Sequence, residues 1–439
     1  MFDTICAISS GNINQAISII RIVGPDAVAI TKSIFTGKIG KNKTIEYGFI
    51  VDQNGHKIDE VLINFFIGSD NFVGEDTIEI NAHGGVVVTN RILELIIAHG
   101  ARLAQPGEFS RRAYLNGKMS LIKAEAINDL IHSKTIKQQD LAINAFGYEK
   151  EELINQFLKQ LEYLIGLCEI NIDYPEYDDI PILDNQEFND QINDLKLKLA
   201  KIIESSEANQ VYIRPLKIAI VGKPNAGKSA LLNAIINEDK SIVTNIAGTT
   251  RDIVESEITF NNMILKFQDT AGIRQSDNEI EQIGITKSWK ALNEADVVLH
   301  VIDSTIGLNE IDQQIAREIN QHHYLQLWNK ADQLNQFDPE KIYISAINKD
   351  LKQLEQALDE LFKVKDLDQK MVFNNRQLSC LKKAYNALIG ATQAINNQLT
   401  YDVIILDLHH CWEALKEITG QIDKEDLLDS IFKNFCLGK

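Results

Sequence analysis

The apolar and polar positions of this chain change period more than once. In residues 1–118, strand-like runs at Ala16–Ile22, Glu60–Ile67 and Thr77–Ile80 are interrupted by one helical repeat from Val86 to Ala98, which predicts an α+β module. From Leu121 to about Glu207 a helical period takes over, with Leu153, Ile154, Phe157, Leu158, Leu161, Leu164, Ile165 and Cys168 spaced by threes and fours. Tyr174-Pro175 and the acidic stretch Glu176–Asp179 read as a loop between two helices. Between Pro215 and about Phe362, short apolar strands (Leu216–Val221, Met263–Phe267, Val297–Val301, Tyr324–Leu327, Ile342–Ile344) alternate with helices. That alternation predicts a parallel sheet covered on both faces. After Asn374 the chain is helical again, through Leu378, Leu381, Leu388 and Ile395, then Ile404, Leu408, Cys411 and Leu415, with Gly420 as a stop and Asp423 as the next cap. Helical sequence on both sides of a complete α/β unit predicts an insertion. The expected domains are 1–118, a helical domain of 119–210 and 374–439, and an α/β domain of 211–373.

Composition narrows the class. The 439 residues allow two to four domains at ~100–200 residues each. With 62 Asp and Glu against 44 Lys and Arg, the net charge is −18, which argues against a protein that coats nucleic acid with a general positive field. Cys6, Cys168, Cys380, Cys411 and Cys436 form no C-x-x-C pair, so a disulfide framework is not expected and a reducing compartment fits. The first residues lack a basic region followed by an apolar core, and no apolar run approaches the ~18–20 residues that span a bilayer. The expectation is a cytoplasmic protein without a membrane segment.

Gly222-Lys-Pro-Asn-Ala-Gly-Lys-Ser229 fits G-x-x-x-x-G-K-[ST], follows a predicted strand and opens a helix at Ala230–Ile236. That context suits a phosphate-binding loop. Its glycines let backbone N–H groups curl around the β-phosphate, Lys228 neutralises the β and γ oxygens, and Ser229 ligates Mg²⁺. Asn329-Lys-Ala-Asp332 follows the strand ending near Leu327. Its carboxylate can accept from both guanine N1–H and the exocyclic amine, whereas adenine leaves it unpaired, so GTP is the expected nucleotide. Ser345-Ala346 follows the next strand, where a backbone N–H can meet the guanine carbonyl.

Asp269-Thr-Ala-Gly272 supplies a carboxylate on the Mg²⁺ side and a backbone N–H for the γ-phosphate, and Gly248-Thr-Thr250 a second hydroxyl for the metal. Ile273 stands where Ras-like enzymes carry a glutamine that orients the attacking water, and its side chain cannot hydrogen-bond water. Hydrolysis must draw on something else. The candidates are a carboxylate among Asp277, Glu279 and Glu281, a monovalent cation held near Asn225, and an arginine finger from Arg251 or Arg274.

The chain resembles the MnmE (TrmE) type of tRNA modification GTPase over essentially its full length. The resemblance is carried by Gly74–Gly85, Pro106–Lys118, the GTPase motifs and the terminal Asp426–Lys439. It implies a multidomain fold: an α+β N-terminal folate-binding domain, an α-helical domain and an inserted α/β P-loop GTPase (Ras-like) domain. It also implies a cytoplasmic homodimer, with G domains that meet in a potassium-dependent transition state. A partner, the FAD-dependent MnmG (GidA), joins it in a heterotetramer that installs a carboxymethylaminomethyl or aminomethyl group on carbon 5 of the wobble uridine of tRNA. GTP contacts are implied for Asn225, Ala226, Gly227, Lys228, Ser229 and Ala230; for Thr244, Asn245, Ile246, Ala247, Gly248, Thr249 and Thr250; for Asp269, Thr270, Ala271 and Gly272; and for Asn329, Lys330, Asp332, Ser345 and Ala346. Asn225, Thr244, Ile246 and Thr249 match potassium ligands, Ser229 and Thr250 magnesium ligands, and Glu281 the carboxylate that positions water. Arg21, Glu79, Lys118 and Lys439 resemble the contacts to 5-formyl- or methylene-tetrahydrofolate, where cations suit the glutamyl carboxylate and Glu79 suits the pterin donors.

Gln377 stands where many relatives carry His, and Ile347 where Lys is frequent. His322-His323 and His409-His410 are pairs without matching metal partners. The alternative reading is a ribosome-assembly GTPase, for which Gly37-Lys-Ile-Gly40 offers the G-x-x-G string of an RNA-binding KH domain.

Overall fold

The structure, a computed structural model, describes residues 3–173, 185–236, 257–267, 294–319, 323–362, 371–421 and 425–438. Its contacts divide the chain into two units, one of residues 1–131, 146–183 and 396–439, the other of residues 132–145 and 184–395.

The first unit contains a six-stranded sheet of β1 (Ile5–Ile8), β2 (Ile17–Val23), β3 (Thr44–Val51), β4 (Lys57–Phe66), β5 (Thr77–His83) and β6 (Arg102–Leu103), in the order β3-β4-β5-β2-β1-β6. β1 and β6 are parallel and the other pairs antiparallel. Alternation decides the faces. Ile20, Ile22, Ile63, Phe65, Ile78 and Ile80 point to one side and are buried against Ile30 and Ile34 of helix Ala27–Ile34 and Ile92 and Ile96 of helix Val86–Ala98. The second of these helices has the expected limits. Helices Ala27–Ile34 and Glu108–Leu115 were not expected, because eight residues give barely two turns of periodic signal.

In the same unit, helix Glu149–Asp173 packs along helix Tyr401–Thr419. Each buries a stripe at helical spacing: Leu161, Leu164 and Cys168 on one, Leu408, Cys411 and Leu415 on the other. Gly420 ends the second helix at φ +77°, as its sequence position predicts, and its carbonyl accepts the Tyr114 hydroxyl at 2.6 Å. The terminal helix Glu425–Phe432 then carries Phe432 and Phe435 into a core with Ala113, Met119, Leu121 and Ala124. Gly37 and Gly40 precede β3 rather than joining two helices, and added Cβ atoms there would collide with Phe35 and Phe65. Their smallness is a packing requirement of this sheet.

The second unit holds β7 (Leu216–Val221), β8 (Glu257–Phe260), β9 (Met263–Phe267), β10 (Val297–Asp303), β11 (His323–Asn329) and β12 (Ile342–Tyr343), in the order β12-β11-β10-β7-β9-β8. Five of these strands are parallel, but β8 runs antiparallel to β9, so the sheet is mixed where a parallel one was expected. The cause is local. Asn261 and Asn262 both take left-handed φ, +47° and +61°, and form a two-residue hairpin whose twist matches that of the strands it joins. Leu216, Ile218, Leu265, Phe267, Leu299, Val301 and Leu327 fill one face of the sheet, under Leu231 and Ile235 of helix Lys228–Ile236 and Leu354 and Leu358 of helix Lys352–Leu361. Helices Asn185–Ile213 and Asn375–Asn396 belong to this unit. At the start of the latter, Gln377 N–H donates to Asn374 Oδ1 and Asn374 N–H to Gln377 Oε1, at 3.0 and 3.3 Å. Gln377 therefore serves a reciprocal helix cap.

A candidate nucleotide site and a second polar pocket

The phosphate loop leaves β7 and enters helix Lys228–Ile236, as strand–loop–helix chemistry demands. Three residues take left-handed backbone: Gly222 (φ +142°), Asn225 (φ +63°) and Gly227 (φ +99°). The glycines are required by space as well as by φ, since a Cβ on Gly222 would run into the carbonyl of Val301 and one on Gly227 into the side-chain amide of Asn329. Asn225 is exposed, and asparagine tolerates this conformation better than most side chains. Lys228 donates from Nζ to the carbonyls of Gly222 and Lys223 at 2.8 and 2.9 Å, and burial pushes its ammonium below its ordinary pKa. Ser229 and Ala230 stand exposed in the first turn of the helix.

The residues expected to read the base assemble beside this loop. Asn329 closes β11, donates its side-chain amide to the Ala226 carbonyl at 2.9 Å and accepts the Ala346 N–H at 3.1 Å. Lys330, at φ +64°, pairs with Asp303 Oδ2 at 2.6 Å. Burial raises the Asp303 pKa, but hydrogen bonds from Lys330 and Thr305 outweigh it and hold the carboxyl below its ordinary range. Asp332 lies exposed in a short 3₁₀ turn, Ala331–Gln333, and its Oδ1 accepts the Ser345 hydroxyl at 2.5 Å. Asn225, Ala226, Gly227, Lys228, Asn329, Lys330, Asp332, Ser345 and Ala346 are thus gathered at the carboxyl ends of β7, β10 and β11, the ligand-binding edge of a parallel sheet.

Thr244, Asn245, Ile246, Ala247, Gly248, Thr249 and Thr250, Asp269, Thr270, Ala271, Gly272 and Ile273, and Glu281 lie outside the described residues. So do Arg251, Arg274, Asp277, Glu279, the 174–179 loop, His322, Asp423 and Lys439.

The second site lies in the first unit. Arg21 on β2 faces Glu79 on β5 in register, and its Nε and Nη2 both donate to Glu79 Oε1, at 3.0 and 2.8 Å. Their side chains are only 16% and 18% exposed. They line a pocket of about 240 Å³ with Thr77, Lys43, Asp70, Phe66 and Phe72. Glu79 Oε2 takes no hydrogen bond from the described residues, so it remains an acceptor for a ligand's donor. Lys118 is exposed and lies against Gly74, close enough to Asp70 to help lower that carboxyl's pKa, for which Lys43 is the larger cause.

Two features of this pocket escaped sequence reasoning. Asn71 spends its side chain on its own loop, donating to the carbonyls of Phe66, Gly68 and Glu75 and accepting from Val73 and Gly74 N–H. It shapes the pocket wall, a role that turn-forming asparagines often play and that could have been suspected. The other is Gly438, whose carbonyl accepts from Arg21 Nη1 at 3.2 Å and from the Ser9 hydroxyl at 3.1 Å. At φ +89°, with no room for a Cβ against Ile8 and Ser9, it brings the end of the chain to Arg21. Cys436, two residues earlier, is half-buried, and the other four cysteines are buried. Among the described residues no group of three or more His, Cys, Asp and Glu side chains could hold a metal ion, and no helix is long and apolar enough to cross a membrane.

The family model described as GTP-binding protein TrmE N-terminus matches residues 4–118, and that of the MnmE helical domain matches residues 121–436. The tRNA modification GTPase MnmE of Mycoplasmopsis pulmonis is 48% identical over 443 residues, covering 100% of both chains. That of Mycoplasma mobile is 48% identical over 442 residues, again 100% of both. The Streptococcus gordonii protein of the same name is 39% identical over 452 residues, 100% of this chain and 99% of its own. Among solved structures, Era in complex with MgGDPNP and nucleotides 1506-1542 of 16S ribosomal RNA is 25% identical, with a TM-score of 0.26 over 40% of this chain and 67% of that one. With a family model matched across 121–436 and full-length relatives at 48% identity, this chain belongs to the MnmE family of tRNA modification GTPases.

Proposed function

We propose that this protein is a potassium-dependent GTPase that works with the FAD-dependent MnmG to add a carboxymethylaminomethyl or aminomethyl group to carbon 5 of the wobble uridine of certain tRNAs. The observation that carries this beyond a plain GTP switch is the Arg21–Glu79 pocket. A switch needs only the nucleotide site, whereas a half-buried guanidinium with an open carboxylate oxygen suits a ligand carrying both an anion and a donor edge. A reduced folate is such a ligand. Arg21, Glu79, Lys118 and Lys439 would hold it, and it would supply the one-carbon unit.

At the nucleotide site, Ser229 and Thr250 would hold Mg²⁺, which supplies charge neutralisation at the phosphate oxygens. Asn225, exposed on its left-handed turn, together with Thr244, Ile246 and Thr249, would hold K⁺, which supplies the charge of an arginine finger. The protein's own groups do the positioning: Lys228 meets the β and γ oxygens, Asp332 reads guanine, and Glu281 orients water. We further propose a cytoplasmic homodimer formed through residues 1–118, a helical domain of 119–210 and 374–439, and a G domain of 211–373. The limit of the family model at residue 118 supports an N-terminal domain that ends there.

Nucleoside analysis of tRNA from a strain lacking this gene, with and without a Glu79→Gln copy, tests the reading. Loss of the 5-substituted wobble uridine in both is expected; unchanged nucleosides in the null strain would refute it.

A further inference from the structure

β10 is buried along its whole length, yet at its centre, among valines, leucine and isoleucine, stands His300, fully buried. Both ring nitrogens are engaged, Nδ1 with the Tyr324 hydroxyl at 2.7 Å and Nε2 with Asp312 Oδ1 at 3.2 Å. Asp312, on helix Glu310–Glu318, is fully buried too. Its second oxygen accepts the Asn309 N–H at 3.2 Å and lies 3.6 Å from the ammonium of Lys223, the second residue of the phosphate loop. Lys223 is itself only 11% exposed, and its ammonium also reaches the Gly307 carbonyl at 3.4 Å.

The polarity of the chain follows from its members. Burial pushes the His300 pKa down despite the opposing pull of Asp312, so the ring is neutral and carries one N–H. A carboxylate only accepts, so Nε2 donates to Asp312 and Nδ1 accepts from Tyr324. An aliphatic side chain on β10 would have packed without any of these partners, and a buried polar network is costly unless every member is satisfied. Here the members end on the loop that grips phosphate. The peptide carbonyl of Lys223 is one of the two oxygens that hold the Lys228 ammonium.

We propose that His300 and Asp312 are positioning residues for GTP binding: they lock the Lys223 side chain, and through its backbone the placement of Lys228. This rests on the assignment of Gly222–Ser229 as the phosphate loop. Lys228 meets phosphate in ground and transition states alike, so loosening it raises KM more than it lowers kcat.

A double-mutant cycle of His300→Phe and Lys223→Met in the full-length chain tests the relay, with His300→Gln as the conservative variant that keeps an N–H for Asp312. Steady-state GTP hydrolysis and release of a fluorescent GDP analogue are the readouts. Each single variant is expected to raise KM and speed GDP release about tenfold, the double to be no worse than either single, and His300→Gln to stay within about threefold of wild type. Multiplying effects in the double variant, or a loss of kcat at unchanged KM as misfolding produces, would overturn the relay while leaving the nucleotide site intact. A wild-type chain that binds no guanine nucleotide would overturn the nucleotide site and the relay together.

Discussion

Asn329 hands its side-chain N–H to the carbonyl of Ala226, 103 residues earlier, and takes the N–H of Ala346 on its oxygen. One buried amide thereby ties the Asn329–Asp332 motif to the phosphate loop. Asn329→Ala removes both partners at once and leaves a carbonyl and an N–H buried, at about 1–3 kcal/mol each. Urea unfolding should show a loss of that size together with weakened GTP binding. Loss of stability with affinity intact would mean that the two motifs act independently.

Gly227 lies against the same amide. A methyl group there meets Asn329 Nδ2 and must adopt φ +99°, so Gly227→Ala is strained by both space and backbone. The variant should fold with its other unit unaffected but lose measurable nucleotide binding in calorimetry. Wild-type affinity would contradict the geometry.

Asp332 sits exposed with one oxygen on Ser345. Asp332→Asn replaces an acceptor by a donor, which should weaken GTP binding and favour xanthosine triphosphate. Competition of GTP, ATP and xanthosine triphosphate against a fluorescent GDP analogue decides it; equal GTP and ATP affinity in the wild type would exclude the assigned role.

Burial pushes the ammonium of Lys150 down to about 8, against the pull of Asp129 and Glu125. Between that value and 10.5 the unfolded chain holds the proton more tightly than the folded one, so this group's contribution to stability rises with pH across that window. The stability of wild type relative to Lys150→Met should therefore climb by up to about 3 kcal/mol from pH 8 to 10.5. A difference independent of pH would show that the lysine is solvated.

If Glu281 orients the attacking water, Glu281→Ala should slow single-turnover hydrolysis by ~10²–10⁴-fold with affinity nearly unchanged. Asp277→Ala and Glu279→Ala serve as controls from the same acidic stretch and should stay close to wild type. The wild-type rate should also fall when Na⁺ replaces K⁺. Three equal losses would point to a diffuse field of charge, and an ion-indifferent rate would remove potassium from the site.

Legibility from sequence followed the range of the interactions involved. The phosphate loop could be read because its chemistry is contiguous: β7 ends at Val221, as its apolar run predicts, and Gly222, Asn225 and Gly227 meet local demands of φ and space. The helix at Val86–Ala98 and the stop at Gly420 were legible for the same reason, since a periodic face or one left-handed residue declares itself within a few positions. The hairpin at Asn261-Asn262 was missed although its signal was local, because the alternation of strands and helices around it pointed to parallel pairing.

Sequence alone determined the phosphate loop and the limits of β7, β9 and helix Val86–Ala98, because each rests on spacing along the chain. Only the tertiary structure decided which distant groups meet. β10 lies between β7 and β11 in the sheet, and this placement is set by the joint burial of many apolar side chains rather than by any one segment. It sends His300 towards Asp312 and Lys223, where the sequence offers one histidine in an apolar run. In the same way the carbonyl of Gly438 reaches Arg21 across 417 residues, because Phe432 and Phe435 anchor the last helix in a core shared with Ala113 and Leu121. No periodicity encodes such a contact, since its partners are neighbours only after the chain has buried its apolar faces.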